Sequence, residues 1–334
     1  MNQTLLEQRT PSPWQGEGGG EGSAFLPAFE TWLAEAGRSR NTITAYRRCL
    51  QVFTRWFAAA NRQPFTLDLL NSYDLRAFRQ WSLAVQGVKP ATWNLRRAAL
   101  MALSTYARAG GFIESDPLRG VLPANQQPLP PRWLERDQFA RLMRQLEINV
   151  NAANTPARRQ RALRDAALVG VMAFAGLRES EAAALTLEDV QLSPRSGSVV
   201  VRHGKGGSRR SIPLSSEARR ILSAWLDVRP RSGCVRPAAG NHLFIDESGD
   251  ALSTRAIQKR IRALGAAAAV EGLTPHRLRH TCAKRMVDAG RQLTEVRQVL
   301  GHAKIETTCR YAQAGWEDLE AAVESVHLGA MAQA

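Results

Sequence analysis

The sequence predicts a mainly helical protein of two domains with one small β-hairpin. Three observations lead to this fold class. The chain has 334 residues, more than one average domain holds. Apolar residues recur every three or four positions over most of it, which is helical spacing. One short segment alternates instead, on both sides of a glycine-rich turn. No apolar run approaches the roughly 18 residues that cross a membrane, so a membrane protein is excluded.

Residues 1–23 come first and are rich in glycine, glutamate and proline, with few apolar side chains. This composition is typical of disordered chain. The segment also lacks the basic and then apolar regions of a secretory signal, so we expect the protein in the cytoplasm.

Residues 24–116 predict a compact helical domain with four amphipathic segments. Their aromatic residues are at core spacing, which favours packing over base stacking. The segments run from Phe25 to Gly37, from an Asn41 cap to Phe57, from Asp74 to Leu83 and from Pro90 to Gly110.

A linker and a second helical domain follow. Residues 117–131 hold five prolines and no helical period, which indicates an extended linker. Residues 132–334 then predict helices at about 135–148 and 157–177, separated by a polar stretch, 149–159, that resembles an insertion.

The exception to helix in this second domain is a β-hairpin. Val199 to Arg202 and Arg210 to Leu214 flank the glycine-rich turn, with Lys205 at its tip. Near the carboxyl terminus, Trp316, Leu319, Ala322 and Val326 have the spacing of one more helix.

The charge indicates a polyanionic partner. The formal net charge is +15, for which nucleic acid is the leading partner and an anionic membrane surface the weaker one. Residues 24–120 carry 13 basic and 6 acidic side chains, and residues 121–334 carry 31 and 21. Because both predicted domains are basic, we expect both to contact the same DNA backbone.

The cysteines and histidines indicate no metal site. The four cysteines form no C-x-x-C pair, which is typical of free thiols. His276 and His280 have the spacing of a zinc-binding helix, but Arg277 stands where a metalloprotease has glutamate, and Arg279 would repel a metal. We therefore expect no metal and no other cofactor.

Four segments of the second domain carry reactive groups, and each alone is a weak signal. They are A-G-L-R-E-S-E with Arg178 and Glu181, H-G-K-G-G with Lys205, P-H-R-L-R-H with His276 and Arg279, and G-H-A-K-I-E-T-T-C-R-Y with His302 and Tyr311. Together, and in this order, they resemble the tyrosine recombinase (integrase) family. The resemblance covers about residues 24–325, and the amino-terminal helices look like the family's core-binding domain. Because residues 1–23 are too few for the family's optional arm-binding domain, we expect none in this sequence.

The resemblance implies a catalytic set for DNA strand transfer. Arg178 and Arg279 would clamp the phosphate, whose non-bridging oxygens gain charge in the transition state, and His302 would add a third donor. Tyr311 would be the nucleophile that forms a 3′-phosphotyrosyl link. His276 is the candidate base and Lys205 the candidate acid for the 5′-oxygen. Glu181 would orient Arg178.

The implied function is site-specific recombination of double-stranded DNA. A homotetramer would hold two DNA sites and exchange their strands in pairs through a Holliday junction. The carboxyl-terminal helix would dock on a neighbour or pack on its own domain. The sequence favours a mobile-element role, with an Xer-like dimer resolvase as the alternative. A decayed DNA-binding protein and a type IB topoisomerase are the rival classes, and the full catalytic set and the two-domain layout argue against them.

Overall fold

The protein is described by a computed structural model over residues 24–125, 132–202, 209–230 and 241–301. The chain divides into two compact units, Met1–Pro128 and Leu129–Ala334. Their described residues are mainly helical with one small sheet, so the predicted fold class is confirmed. The division falls inside the predicted linker, whose exact bounds stay a prediction. The segment expected to be disordered, 1–23, and the expected carboxyl-terminal helix lie outside the described residues.

The first unit is an aromatic-cored helical domain. Buried Phe29, Phe53, Phe78 and Trp93 pack with neighbouring rings at its centre, as the core spacing predicted. Within residues 24–125 its helices are α1 (Leu26–Glu35), α2 (Arg40–Asn61), α3 (Ser72–Gln80) and α4 (Pro90–Ala109).

Two boundaries in this unit differ from the sequence prediction. Ser39, and not Asn41, caps α2, because its side chain accepts the backbone N–H of Thr42. The third helix begins at Ser72 and ends in a π-helical turn, Trp81–Val85. Here Arg96 of α4 donates to the Ser82 hydroxyl at 2.9 Å, so a tertiary contact holds the turn.

The second unit is built around one buried helix, α6. All residues of α6 from Ala162 to Ala173 are buried, and the helix packs against α5, α8 and α10. The helices in the described part of this unit are α5 (Arg136–Asn151), α6 (Pro156–Ala173), α7 (Glu179–Ala184), α8 (Ser216–Val228), α9 (Thr254–Ala267), α10 (Pro275–Asp288) and α11 (Leu293–Leu300).

Most of the polar stretch 149–159 is helical. α5 continues to Asn151 and α6 begins at Pro156, so only four residues connect the two helices. Thr155 caps α6 by accepting the backbone N–H of Arg158. Whether the stretch is inserted relative to the family stays a prediction.

The predicted hairpin is part of a three-stranded antiparallel sheet. β2 (Gly197–Val201) pairs with β3 (Arg210–Pro213), and Val201 lies opposite Arg210. A further strand that the sequence did not predict, β1 (Val190–Leu192), pairs with the other edge of β2. Among the described helices, none is long and apolar enough to cross a membrane.

Candidate active site

Arg178 and Glu181 are held together at the start of α7. Arg178 precedes the helix and Glu181 lies in its first turn. The backbone N–H of Arg178 donates to Glu181 Oε2 at 2.8 Å, and its guanidinium Nη1 donates to Oε1 at 2.7 Å. The R-x-x-E spacing is therefore a capping arrangement, in which the acidic side chain reaches back to the preceding residue.

Glu181 is shared by three arginines from three elements. Arg210 of β3 donates Nη1 to Oε1 at 3.0 Å and Nη2 to Oε2 at 2.8 Å. Arg279 of α10 places Nη1 3.8 Å from Oε2. Burial alone would raise the pKa of Glu181, but the hydrogen bonds from Arg210 and from the backbone of Arg178 outweigh it and lower the pKa to about 2. Glu181 is therefore a fixed anion that orients cations.

The same three arginines satisfy the carboxyl-terminal end of α11. The last carbonyls of a helix have no partner within it and carry partial negative charge. Here three consecutive carbonyls each accept from one guanidinium. The pairs are Arg210 Nε with Val299 O, Arg279 Nη2 with Leu300 O and Arg178 Nη2 with Gly301 O.

Gly301 ends α11 in a conformation that favours glycine. Its φ is +63°, and a Cβ atom there would lie 2.9 Å from Nη1 of Arg210. The glycine of the G-H dipeptide thus allows both the left-handed turn and the close approach of Arg210. His302, the next residue, lies outside the described residues.

The start of α10 contributes His276 and Arg279. Thr274 caps the helix, and His276 is exposed in its first turn. The His276 ring lies 4.1 Å from the ring of His280, centroid to centroid. Arg279 is 2% exposed and also donates Nη1 to Gly176 O. The α10 register thus puts the histidine at the surface and the guanidinium beneath it.

Three of the predicted site residues line one pocket of about 470 Å³. Arg178, His276 and Arg279 line it, with Thr274 and Pro275 at the start of α10 and Gln258 and Arg262 from α9. Gln258 donates to Glu179 Oε1 at 2.8 Å. Three arginines, Arg178, Arg262 and Arg279, line the pocket against one carboxylate, that of Glu179, so the excess of positive charge suits an anion.

Three predicted site residues lie outside the described residues: Lys205, His302 and Tyr311. Described residues flank the segment that carries Lys205 and precede His302. Val201 and Arg210 pair with each other at the ends of the two strands that border the segment with Lys205. Gly301, the residue before His302, accepts a hydrogen bond from Arg178. Their roles stay predictions.

Arg210 is a site residue that the sequence patterns did not predict, as are Gln258 and Arg262 in the pocket lining. It contacts Glu181 and α11, and yet it belongs to no recognisable spacing with Arg178 or Arg279. Its one signal in the sequence is a basic residue at the start of a strand in an otherwise apolar alternation, which is also common on exposed strands.

No group of three or more possible metal ligands occurs within the described ranges. Cys282, near the site, is buried, and burial raises the pKa of its thiol to about 11. A thiol with such a pKa is a poor nucleophile at neutral pH.

Comparison with known proteins agrees with this geometry. Residues 132–317 match the phage integrase family, and residues 27–111 match the phage integrase N-terminal SAM-like domain. A tyrosine recombinase XerC from Rhodospirillum centenum is 32% identical over 307 residues, which are 90% of this chain and 86% of the relative.

Two solved structures share the fold. XerH site-specific recombinase bound to a palindromic difH substrate has a TM-score of 0.69 at 22% identity, over 90% of this chain and 84% of that one. The Tn1549 transposon integrase in complex with a circular intermediate DNA has a TM-score of 0.66 at 19% identity, over 90% and 99%. The chain therefore belongs to the phage integrase family of tyrosine recombinases, enzymes of site-specific DNA recombination.

Proposed function

We propose that the pocket between α7, α9 and α10 binds the scissile phosphodiester of a DNA duplex. The observation that carries this proposal is that Arg178 and Arg279, from separate elements, line one pocket and share one buried carboxylate, Glu181. A phosphate in transfer gains charge on its non-bridging oxygens, and fixed guanidiniums stabilise that charge.

The remaining groups are proposed to transfer the DNA phosphate from the 5′-oxygen to Tyr311. The Tyr311 oxygen attacks phosphorus and its proton passes to His276, which the structure shows exposed at the pocket. The phosphorus–5′-oxygen bond breaks, and Lys205 protonates the leaving oxygen. His302 donates to the non-bridging oxygens. Attack by a 5′-hydroxyl reverses the steps and reseals DNA, so the phosphotyrosyl link conserves the bond and needs no cofactor.

The duplex is proposed to follow the exposed face of α9. Arg255, Lys259 and Arg262 are exposed and recur with helical spacing on this helix, and Arg262 also borders the pocket. A phosphate bound in the pocket therefore lies beside a row of further positive charges. In the first unit, exposed Arg48 and Arg55 of α2 offer a second basic face.

We further propose that four protomers act together on two DNA sites in the cytoplasm, with strands exchanged in pairs. The support is the family membership: XerH and the Tn1549 integrase, which share the fold, are described in complexes with DNA. The homotetramer and the docking of the carboxyl-terminal helix are implied by the resemblance alone.

Two biological roles follow from the sequence, and the comparisons weigh between them. The support for the mobile-element role is that this chain shares a fold, at 19% identity, with the transposon integrase. The Xer-like role is favoured by a XerC relative that is 32% identical over nine-tenths of this chain. Recombination between two copies of one chromosomal site, assayed against exchange between unlike attachment sites, separates them.

The direct test of the chemistry is Tyr311→Phe on a nicked suicide substrate. Because only the hydroxyl is lost, DNA binding should persist while the covalent adduct on denaturing gels disappears. The unmutated enzyme should form the adduct in EDTA, since side chains fill every role. Adducts with the variant would identify another nucleophile, and a strict need for a divalent ion would exclude this mechanism. Strand exchange between two sites then separates a recombinase from a topoisomerase.

A further inference from the structure

Arg210 is the one arginine of the Glu181 cluster that does not line the pocket. We propose that Arg210 is a positioning residue, which holds Glu181 and the end of α11 in the arrangement that strand cleavage requires. The inference rests on the proposed function, because it concerns the groups to which that function assigns the phosphate.

The contacts of Arg210 use its whole guanidinium. Both Nη atoms donate to the two oxygens of Glu181, and Nε donates to Val299 O at 3.0 Å. Its side chain is 10% exposed and that of Glu181 is 2% exposed. A planar guanidinium matches a carboxylate in this two-point geometry, whereas a lysine would supply a single point charge.

Arg210 joins three parts of the site that are far apart in the sequence. It is the first residue of β3, directly after the segment that carries Lys205, and it pairs with Val201 across the sheet. Through Glu181 it is linked to Arg178 and Arg279. Through Val299 it reaches the helix end that leads to His302. One side chain therefore links the start of β3, the buried carboxylate of Glu181 and the carboxyl-terminal end of α11.

The effect of removing Arg210 follows from what it leaves behind. Glu181 would keep its burial and lose two of its hydrogen bonds, so its pKa would rise from about 2. A protonated or rotated Glu181 no longer holds Arg178 and Arg279 in place. Small displacements of groups that align a reacting centre cost up to about 100-fold in rate.

The experiment compares single-turnover cleavage by the full-length enzyme and by Arg210→Gln from pH 5 to pH 8, with DNA affinity measured in parallel. We expect cleavage roughly 10- to 100-fold slower at pH 7. The deficit should grow as the pH falls, because Glu181 protonates in the variant only. DNA affinity should change by less than about threefold, since Arg210 does not contact the phosphate. Arg210→Lys should recover only part of the rate.

Arg202→Gln is the matched control. Arg202 follows β2 on the same hairpin and pairs with Asp189 and Glu188, away from Glu181. Arg202→Gln should destabilise the hairpin about as much as Arg210→Gln does. The dependence of its cleavage rate on pH should match that of the unmutated enzyme. Thermal unfolding and the amplitude of the cleavage burst show, for each variant, what fraction of the enzyme is folded and active.

A double-mutant cycle with Glu181→Gln decides whether Arg210 acts through Glu181. We expect the double variant to be no slower than the slower single variant, because the two residues act as a unit. Three outcomes would each overturn the inference. Arg210→Gln could cleave at the unmutated rate, or its deficit could be equal at every pH and multiply with that of Glu181→Gln. The third outcome is a loss of DNA affinity as large as the loss of cleavage rate. Absence of any adduct with the unmutated enzyme would instead overturn the proposed function, and this inference with it.

Discussion

At the scale of single residues, Glu181 is a buried carboxylate held by three arginines. Its pKa in the folded protein, about 2, is below its ordinary value of 4.5. A carboxyl group with a lowered folded-state pKa stabilises the fold above its unfolded-state pKa, and this contribution is lost as the pH falls through the folded-state value. The window for Glu181 therefore runs from about pH 4.5 down to about pH 2.

Glu181→Gln should lower the free energy of unfolding at pH 7 by on the order of 3 kcal/mol, since one pKa unit corresponds to about 1.4 kcal/mol. The difference from the unmutated protein should shrink between pH 5 and pH 2. Urea unfolding across this range measures it. Glu217→Gln is the control, because its half-exposed pair with Arg220 should contribute less than about 1 kcal/mol. A Glu181 effect that stays constant down to pH 2 would contradict the assignment.

Lys205 is tested by its proposed proton donation. Lys205→Ala should slow cleavage by roughly 10²- to 10⁴-fold, the span for loss of a general acid. With sulfur in place of the bridging 5′-oxygen, a thiolate leaves without a proton, so the variant should cleave about as fast as the unmutated enzyme.

Arg178→Ala is the control for this rescue. The charge of Arg178 is proposed to stabilise the non-bridging oxygens, which the sulfur does not replace, so this variant should stay slow on the sulfur substrate. Equal rescue of both variants, or of neither, would remove Lys205 from the acid role.

The residues also show what the sequence could and could not predict about the site. Arg178, Glu181 and Arg279 were predicted because each lies in a spacing shared with a family, and the structure brings them together. Arg210 was missed because its role depends on the sheet placing it beside Glu181, 29 residues away in the chain. A distance of this kind is set by tertiary packing and leaves no local pattern.

At the scale of elements, the end of α11 is the part of the site most sensitive to backbone geometry. Gly301→Ala adds a Cβ in the left-handed region and against the Arg210 guanidinium. The left-handed conformation alone costs about 1 to 2 kcal/mol, and the contact displaces a side chain that is held by three hydrogen bonds. We expect a less stable protein whose cleavage is also slower.

Gly290→Ala separates these two effects. Gly290 has φ +73° and open space around the position of a Cβ, so it carries the conformational cost without the contact. It should lose a similar stability in thermal unfolding and keep the cleavage rate. Equal cleavage by both variants would show that the approach of Arg210 to Gly301 does not affect catalysis.

The helices themselves were predicted more accurately than their ends. Long apolar periods predicted α2 and α4, whereas Ser39 and Asn41 are both good caps, so local propensity could not choose between them. The strand Val190–Leu192 has three residues, too few for a period, and forms because β2 offers it an edge. The turn at Trp81–Val85 depends on Arg96. Each difference has a tertiary cause.

At the scale of the whole molecule, the charge predicts how the protein holds DNA. Both units are basic, so we expect phosphate contacts from both. For about 6 to 10 such contacts, affinity should fall by roughly 10³ to 10⁵ between 50 and 200 mM salt, because each contact releases counterions. A flat response would contradict DNA binding by the two units together.

Single substitutions in each unit test which unit makes the phosphate contacts behind this salt dependence. Arg48→Ala in α2 and Lys259→Ala in α9 each remove one exposed charge from a proposed DNA face. Each should lower the slope of log K against log salt by about 1 if it removes one phosphate contact. Arg141→Ala is the control, since Arg141 belongs to α5, which carries neither proposed DNA face, and pairs with Asp137, so the slope should not change. If the slope falls for Lys259→Ala alone, the phosphate contacts belong to the second unit. Only a lower slope in both variants supports a duplex that is bound by both units.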